Sequence, residues 1–223
     1  MISISPGGFN GFYMFGVSTY IKKHYDLSNY VFSGASAGAW NALLLTYKGD
    51  PDYFVSKLFE IDEEMSKKET TLLGVEKLIK EKLLNFTTAE DYDLNRLFIG
   101  VSSVKNFHFE INIFSDFENL EDAIDCCISS SHIPLITGGF LNKYRNIYAF
   151  DGGFCKYPYL NILESKLHIT PNIWSDKPKQ NIITRITDFA RIFFKNMSSL
   201  HGLYDKGYDD SCKNSNVLDS LFK

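Results

Sequence analysis

A single pentapeptide narrows the folds open to this 223-residue chain: Gly34-Ala35-Ser36-Ala37-Gly38. It matches the pattern G-x-S-x-G, in which a serine lies on a sharp turn between a strand and a helix. The apolar residues 30–32 before it predict a short strand, and residues 39–47 after it, rich in Ala and Leu, predict a helix. Free amides at a helix N-terminus favour negative charge, so the pattern predicts a nucleophile at Ser36. A glycine-rich turn with an incidental serine is the alternative.

The elements predicted around this turn indicate an α/β domain. Alternating residues at 1–5 predict a first strand, and apolar spacing over residues 12–23 predicts a helix capped by Asn10-Gly11. The order strand, turn, helix, strand, turn, helix is typical of a parallel sheet. Further strands are predicted at 97–101, 108–114 and 146–150, and helices within 52–84 and at 120–130.

A second glycine-rich turn, Pro6-Gly7-Gly8-Phe9-Asn10-Gly11, joins the first strand to the first helix. Backbone N–H groups in such a turn can hold the oxyanion of a tetrahedral intermediate. A phosphate cradle for a nucleotide is an alternative, although the first glycine of G-x-G-x-x-G is missing. A plain tight turn is the third interpretation.

A third turn, Asp151-Gly152-Gly153, follows the predicted strand at 146–150. An acid at the end of a strand, followed by glycines that let the loop approach its neighbours, fits a catalytic partner. An ordinary Asp-Gly turn is the alternative.

Together these three turns resemble the patatin-like phospholipase family, which carries a glycine-rich loop, a G-x-S-x-G turn and a D-G-G or D-G-A motif in this order. The segment at 129–134, Ser-Ser-Ser-His-Ile-Pro, is similar to the family's A-S-x-A-I-P segment. Residues 204–210 look like its terminal helix with a Gly-Tyr pair. The resemblance covers nearly the whole chain and is closest to the branch that includes the adipose triglyceride lipases.

The resemblance implies one domain over residues 1–223, a three-layer α/β/α fold with a mainly parallel central sheet, and a Ser–Asp dyad without histidine. Ser36 would form an acyl-enzyme, and Asp151 would act as its base. The implied oxyanion hole consists of the amides of Gly7, Gly8, Phe9 and Ala37. The implied motif glycines are Gly11, Gly34, Gly38, Gly152 and Gly153. No metal, calcium included, and no cofactor is needed for this chemistry.

Two features of the sequence qualify this assignment. Pro6 replaces the first glycine of the family's loop, and Asn10 replaces its usual Arg or Lys. We expect the loss of this cation to alter the preference for anionic head groups.

An aspartate with an ordinary pKa of about 3.9 is a poor base near pH 7, so we expect a dry site around Asp151. A histidine base is the rival hypothesis, with His132 closest in sequence to the acid.

The implied function is that of a phospholipase A-type lipid acyl hydrolase. A triacylglycerol lipase and a lipid-binding module with little turnover are the alternatives. A nucleic-acid partner is not expected, because the formal net charge is −4. We expect a membrane or lipid substrate. Some relatives need a host factor, so an activating partner is a further expectation, and the oligomeric state is left open.

The sequence predicts neither a signal peptide nor a transmembrane helix, which favours a cytoplasmic protein or one peripheral at membrane surfaces. Residues 182–197 have helical apolar spacing with Arg185, Arg191 and Lys195 on the polar side. This segment is interpreted either as a helix that closes the core or as one that lies on a membrane.

Overall fold

The structure, a computed structural model, describes residues 1–66, 72–105, 108–154, 162–175 and 200–223. Its strands are β1 Ile2–Ile4, β2 Phe32–Ala35, β3 Leu97–Lys105, β4 His108–Phe114, β5 Asn142–Tyr144, β6 Ile147–Phe150 and β7 Leu167–Ile169. Its helices are α1 Gly11–His24, α2 Ala37–Thr46, α3 Pro51–Ser66, α4 Leu72–Phe86, α5 Leu120–Ser130, α6 Leu200–Lys213 and α7 Ser215–Phe222. Short 3₁₀ turns at Gly8–Asn10 and Gly152–Phe154 precede α1 and follow β6.

One mixed sheet lies at the centre of the fold. Its middle strands run parallel in the order β3-β2-β1-β7, while β4, β5 and β6 join antiparallel around β3. Helices flank this sheet, which confirms the predicted α/β fold with a mainly parallel centre. Strands β1 and β2 are buried along their whole length, as expected for parallel strands covered by helices.

Strand β3 brings the ends of two other strands together. Along one edge it pairs with β4 from Ile99 to Lys105, so β2 and β6 must both occupy its other edge. Ala35 at the end of β2 pairs with Gly100, and Phe150 at the end of β6 pairs with Ser102. Because β2 is parallel and β6 antiparallel to β3, the residues that follow these two strands meet head to head.

The hydrophobic core surrounds α1 and α2. Helix α1 is buried over most of its length, and Leu43, Leu44 and Leu45 of α2 are fully buried. Full burial of one such side chain contributes about 1.5–3 kcal/mol, so α2 is held firmly against the sheet. The helix that begins beside Ser36 is therefore part of the core.

Several elements differ from the sequence-based predictions. Strand β2 extends to Ala35, so the first two residues of the pentapeptide belong to the strand and not to the turn. Strands β5 and β7 were not predicted, because three residues are too few to show a period. Asn10 occupies the cap position of α1, but its side chain makes no capping hydrogen bond.

Residues 182–197 lie outside the described residues. Among the helices that the structure describes, none is long and apolar enough to cross a bilayer.

Candidate active site

Ser36 lies on a strained turn between β2 and α2. Its backbone adopts φ 54° and ψ −129°, a left-handed conformation that non-glycine residues rarely adopt and that costs about 1–3 kcal/mol. The flanking glycines make the turn possible. A Cβ atom on Gly34 would lie 2.2 Å from the carbonyl oxygen of Gly38, and one on Gly38 would lie 2.4 Å from that of Ile4. The strain is maintained by the packed core around it, as in a nucleophile elbow.

The side chain of Ser36 is paired directly with Asp151. Its Oγ donates a hydrogen bond of 2.6 Å to Asp151 Oδ2, and both residues are buried. The other carboxylate oxygen, Oδ1, accepts a 2.7 Å bond from the main-chain N–H of Gly153. The main-chain N–H of Asp151 donates to the carbonyl of His132 at 2.7 Å. The acid is thus oriented from three sides.

The turn after β6 fits tightly beside the turn after β2. A Cβ atom on Gly152 would lie 2.3 Å from the carbonyl oxygen of Gly100 and 2.6 Å from Ala35 Cβ. A larger residue at Gly152 would push the acid away from the serine. The two turns meet where the register of β3 brings them together.

Burial changes the acidity of the dyad. Removal from water raises the pKa of Asp151 to about 6, while the hydrogen bonds from Ser36 and the Gly153 N–H oppose this rise. The carboxylate is therefore ionised at neutral pH and is a better base than an exposed aspartate. This agrees with the dry site expected from the sequence.

The glycine-rich loop lies between the other two turns. Gly8 has a positive φ of 51°, and the carbonyl of Gly7 accepts a 3.0 Å bond from the Asn10 N–H. At one end of the loop, a Cβ on Gly11 would lie 2.7 Å from that of Ala37 at the start of α2. At the other end, a Cβ on Gly153 would lie 3.2 Å from Pro6.

The amides assigned to the oxyanion hole, those of Gly7, Gly8 and Phe9, lie in the stretch between these two contacts. The structure therefore brings together all three turns that the sequence singled out.

Asn41, which sequence reasoning missed, connects the glycine-rich loop to the nucleophile helix. Its fully buried amide donates to the carbonyl oxygens of Gly11 at 3.2 Å and Ala37 at 2.9 Å. Its Oδ1 accepts a 3.0 Å bond from Ser18. A polar residue inside an otherwise apolar helix was the available signal, because a buried amide needs partners.

Sequence reasoning assigned no role to Ser130, and the structure places this residue under the nucleophile. Its Oγ accepts a 2.7 Å hydrogen bond from the main-chain N–H of Ser36. The same hydroxyl donates to the carbonyl of Gly100 at 2.7 Å, and Ser130 is fully buried. Through this bridge, the end of α5 fixes the strained turn against β3.

Glu76 of α4 is a second buried carboxyl near the dyad. Burial raises its pKa to about 9, and the negative charge of Asp151 adds to this rise. Glu76 is therefore protonated at neutral pH and adds no second charge beside the base. Its helix offered no sequence signal that it faces the acid.

The hydrogen bonds around Ser36 do not favour His132 as its base. Ser36 donates to a carboxylate, and His132 contacts the acid through its main-chain carbonyl. Its ring is buried, which lowers its pKa, while a hydrogen bond with the main chain of Phe140 opposes this shift. Its Nε2 has no hydrogen-bond partner among the described residues.

Comparison with known proteins shows which family this chain matches. A family model described as "Patatin-like phospholipase" matches residues 2–160, a range that contains all three turns. The human protein "Patatin-like phospholipase domain-containing protein 4" is 23% identical over 249 positions, covering 95% of this chain and 94% of that protein.

A second relative is longer than this chain. The bovine "Patatin-like phospholipase domain-containing protein 2" is 25% identical over 178 positions, covering 76% of this chain. The alignment spans 36% of that relative, so this chain corresponds to about a third of its length. The human protein of the same name is also 25% identical.

Proposed function

Because the chain belongs to the patatin-like phospholipase family, it is a lipid acyl hydrolase, and we propose that it cleaves fatty-acyl esters of phospholipids through a Ser36–Asp151 dyad. One observation carries the proposal: the 2.6 Å hydrogen bond from the strained Ser36 to the buried Asp151. The bovine and human relatives named "Patatin-like phospholipase domain-containing protein 2" agree with the predicted branch of the family, the one that includes the adipose triglyceride lipases.

The proposed reaction uses the two side chains in turn. Ser36 Oγ attacks the ester carbonyl carbon while its proton passes to Asp151 Oδ2, and a tetrahedral intermediate forms. The intermediate collapses by breaking the bond to the lipid alcohol, which leaves with the proton from Asp151. Water then attacks the acyl-enzyme, gives its proton to Asp151, and releases the fatty acid as Ser36 recovers its proton.

Main-chain amides are proposed to stabilise the negative charge on the intermediate by donating hydrogen bonds to it. The candidates are those of Gly7, Gly8 and Phe9 in the glycine-rich loop, and that of Ala37 at the N-terminus of α2. First-turn amides of a helix have no acceptor within the helix, and its dipole adds to the attraction. Since these dipoles supply the stabilisation, we propose that calcium is not required.

A triacylglycerol lipase is the second candidate, and Asn10 favours it. Where the family usually carries Arg or Lys, this loop is neutral, so it offers an anionic head group no cation at that position. The chemistry is the same for both substrates, and only the lipid that is consumed separates the two proposals.

The test is fatty-acid release from mixed phospholipid and triacylglycerol substrates with EDTA present. Wild type is expected to release fatty acid. The Ser36→Ala and Asp151→Asn variants are expected to lose at least about 100-fold, the lower bound for removing a general base. The lipid that disappears identifies the substrate class.

The matched controls are Ser28→Ala and Asp26→Asn, which make the same chemical changes in an exposed turn. Both are expected to keep full activity. Turnover that survives in Asp151→Asn would contradict the dyad. No release by wild type, even with a eukaryotic cell lysate added as a source of activating factor, would favour a lipid-binding role.

A further inference from the structure

An exposed apolar loop lies between α5 and β5, next to the dyad in the chain. This apolar loop comprises residues 133–141. Its exposed side chains are Leu135, Ile136, Phe140 and Leu141, with exposed fractions of 77%, 44%, 66% and 54%. Of the twelve large apolar side chains exposed among the described residues, six lie between Leu135 and Phe154. Exposed patches of this kind mark interaction sites.

Hydrogen bonds hold the apolar loop in a defined shape. Thr137 Oγ1 accepts a 2.9 Å bond from the Ile133 N–H, and the Thr137 N–H donates to the Ile133 carbonyl at 3.0 Å. The Leu135 N–H donates to the Gly139 carbonyl at 3.4 Å. Thr137 is buried, so the loop is anchored at its base while its apolar side chains face solvent.

Leu135 is presented to solvent at a conformational cost. Its φ is 65°, which is unusual for a bulky residue. Strain of this kind persists at functional sites, where the surrounding structure imposes it. Here the loop bonds impose it on the most exposed large apolar side chain of the described residues.

Two basic residues follow the apolar loop in the chain, and acidic residues of α5 lie close to them in space. The sequence has no acidic residue between Asp125 and Asp151, whereas it has two basic ones, Lys143 and Arg145. Both are exposed in the structure. Arg145 is paired with Asp122 at 2.6 Å, so the basic side chain that this stretch offers beside the apolar loop is that of Lys143.

The apolar loop begins next to a residue that contacts Asp151. It starts directly after His132, whose carbonyl accepts the main-chain N–H of Asp151 at 2.7 Å. A surface that covers the loop therefore lies beside the dyad.

We propose that the apolar loop inserts into the surface of a phospholipid bilayer and so holds the active site against its substrate. The inference deepens the proposed function and rests on it, since a lipid ester reaches the dyad from such a surface. Exposed apolar side chains bind such an interface by burying their surface in it, and Lys143 adds attraction to anionic lipids.

The experiment measures binding to vesicles of phosphatidylcholine with phosphatidylserine by co-sedimentation. The full chain carries Ser36→Ala, so that no lipid is consumed. The test variant adds Phe140→Ser and Leu141→Ser, and the control adds Leu163→Ser and Val217→Ser at two exposed positions outside the apolar loop. We expect the test variant to bind about 100-fold more weakly, roughly tenfold for each apolar side chain, and the control to bind as before.

A second readout separates this inference from the proposed function. With Ser36 intact, the Phe140→Ser/Leu141→Ser variant should lose hydrolysis of vesicle lipid but keep hydrolysis of a water-soluble short-chain ester. If wild type hydrolyses neither substrate, the proposed function fails. The vesicle experiment still shows whether the apolar loop binds a bilayer. A short-chain ester that is no longer cleaved by this variant would instead show damage to the site.

Three outcomes overturn the inference. They are equal vesicle binding by the test and control variants, no vesicle binding by the Ser36→Ala chain, and a dimer in solution that the Phe140→Ser/Leu141→Ser change dissociates. The last outcome assigns the apolar loop to contact between copies of this chain. Slightly weaker binding to vesicles of phosphatidylcholine alone is expected, because Lys143 then has no anionic lipid beside it.

Discussion

The region that carries the nucleophile and the region that carries the acid are built differently. Residues 32–46 contain a buried parallel strand, the strained turn at Ser36 and a core helix. Residues 131–154 contain short antiparallel strands and the apolar loop, with large apolar side chains in solvent. The first region is fixed by burial, and the second is fixed by pairing to β3.

This difference separates two tasks. The nucleophile needs a turn that cannot relax from its strained conformation. Packing against the core holds the turn in that conformation. The acid reaches the serine from a segment that carries exposed apolar side chains, and its position comes from a few hydrogen bonds. Substitutions should therefore act on stability and activity together in the first region, and mainly on activity in the second.

The largest effect is expected from Gly38→Ala in the nucleophile region. Its Cβ would lie 2.4 Å from the Ile4 carbonyl oxygen and 2.7 Å from that of Ser5, so β1 and α2 have to separate. We expect a fall in the unfolding free energy of about 2–4 kcal/mol and loss of activity. Thermal unfolding and ester hydrolysis measure both.

Gly202→Ala is the matched control, because nothing lies within 4 Å of a Cβ there. Inside α6, this change should stabilise the chain by about 0.5–1 kcal/mol. A Gly38→Ala variant as stable as wild type would contradict the claim that burial fixes the nucleophile region.

Ser130→Ala tests the bridge that fixes the strained turn of the nucleophile region against β3. It leaves the buried N–H of Ser36 and the carbonyl of Gly100 without this partner, which costs about 1–3 kcal/mol. We expect kcat to fall about 10- to 100-fold with little change in KM, since the nucleophile and not the lipid site is displaced.

The adjacent serines provide controls for Ser130. Ser129 accepts a bond from Asn142, and Ser131 accepts one from Trp40. Ser129→Ala and Ser131→Ala should keep kcat near wild type. Equal losses in all three variants would show that α5 as a whole, and not the Ser130 bridge, supports activity.

The pH dependence of kcat/KM tests the environment of the acid. Asp151 accepts a proton only when ionised, and burial raises its pKa to about 6. Activity on a soluble ester should therefore be constant above about pH 7 and fall about tenfold for each pH unit below 6. An acid limb centred near pH 4 would mean that the acid is hydrated in the working enzyme.

The smallest effect is expected from Glu76→Gln, which concerns stability. The pKa of Glu76 is about 9 in the folded chain against an ordinary value of 4.5. Between these values the unfolded chain releases a proton that the folded chain retains, so stability falls as pH rises. The variant should gain more than about 1 kcal/mol at pH 8 and almost nothing at pH 4.

Chemical denaturation at the two pH values measures this gain. Glu60→Gln, on the exposed side of α3, is the control and should show no such pH-dependent gain. A Glu76→Gln variant that is destabilised at pH 8 would show that the folded chain uses an ionised Glu76.

Much of the chain could be predicted from local patterns. The helix at Leu120–Ser130 and the strand at His108–Phe114 agree with the sequence-based bounds, because their apolar spacing extends over many residues. Strands β5 and β7 could not be found in this way. They form through pairing with β6 and β1, and their own residues carry little signal.

The sequence by itself determined the α/β class, the three glycine-rich turns and the candidate roles of Ser36 and Asp151. The class and the turns depend on residues close together in the chain, whose conformational demands are local, while the two roles follow from the resemblance to the family. Only the tertiary structure decided what surrounds the dyad: Ser130 beneath the nucleophile, Asn41 between two turns, and Glu76 near the acid. These contacts depend on the register of β3 and on helix packing, which join residues dozens of positions apart.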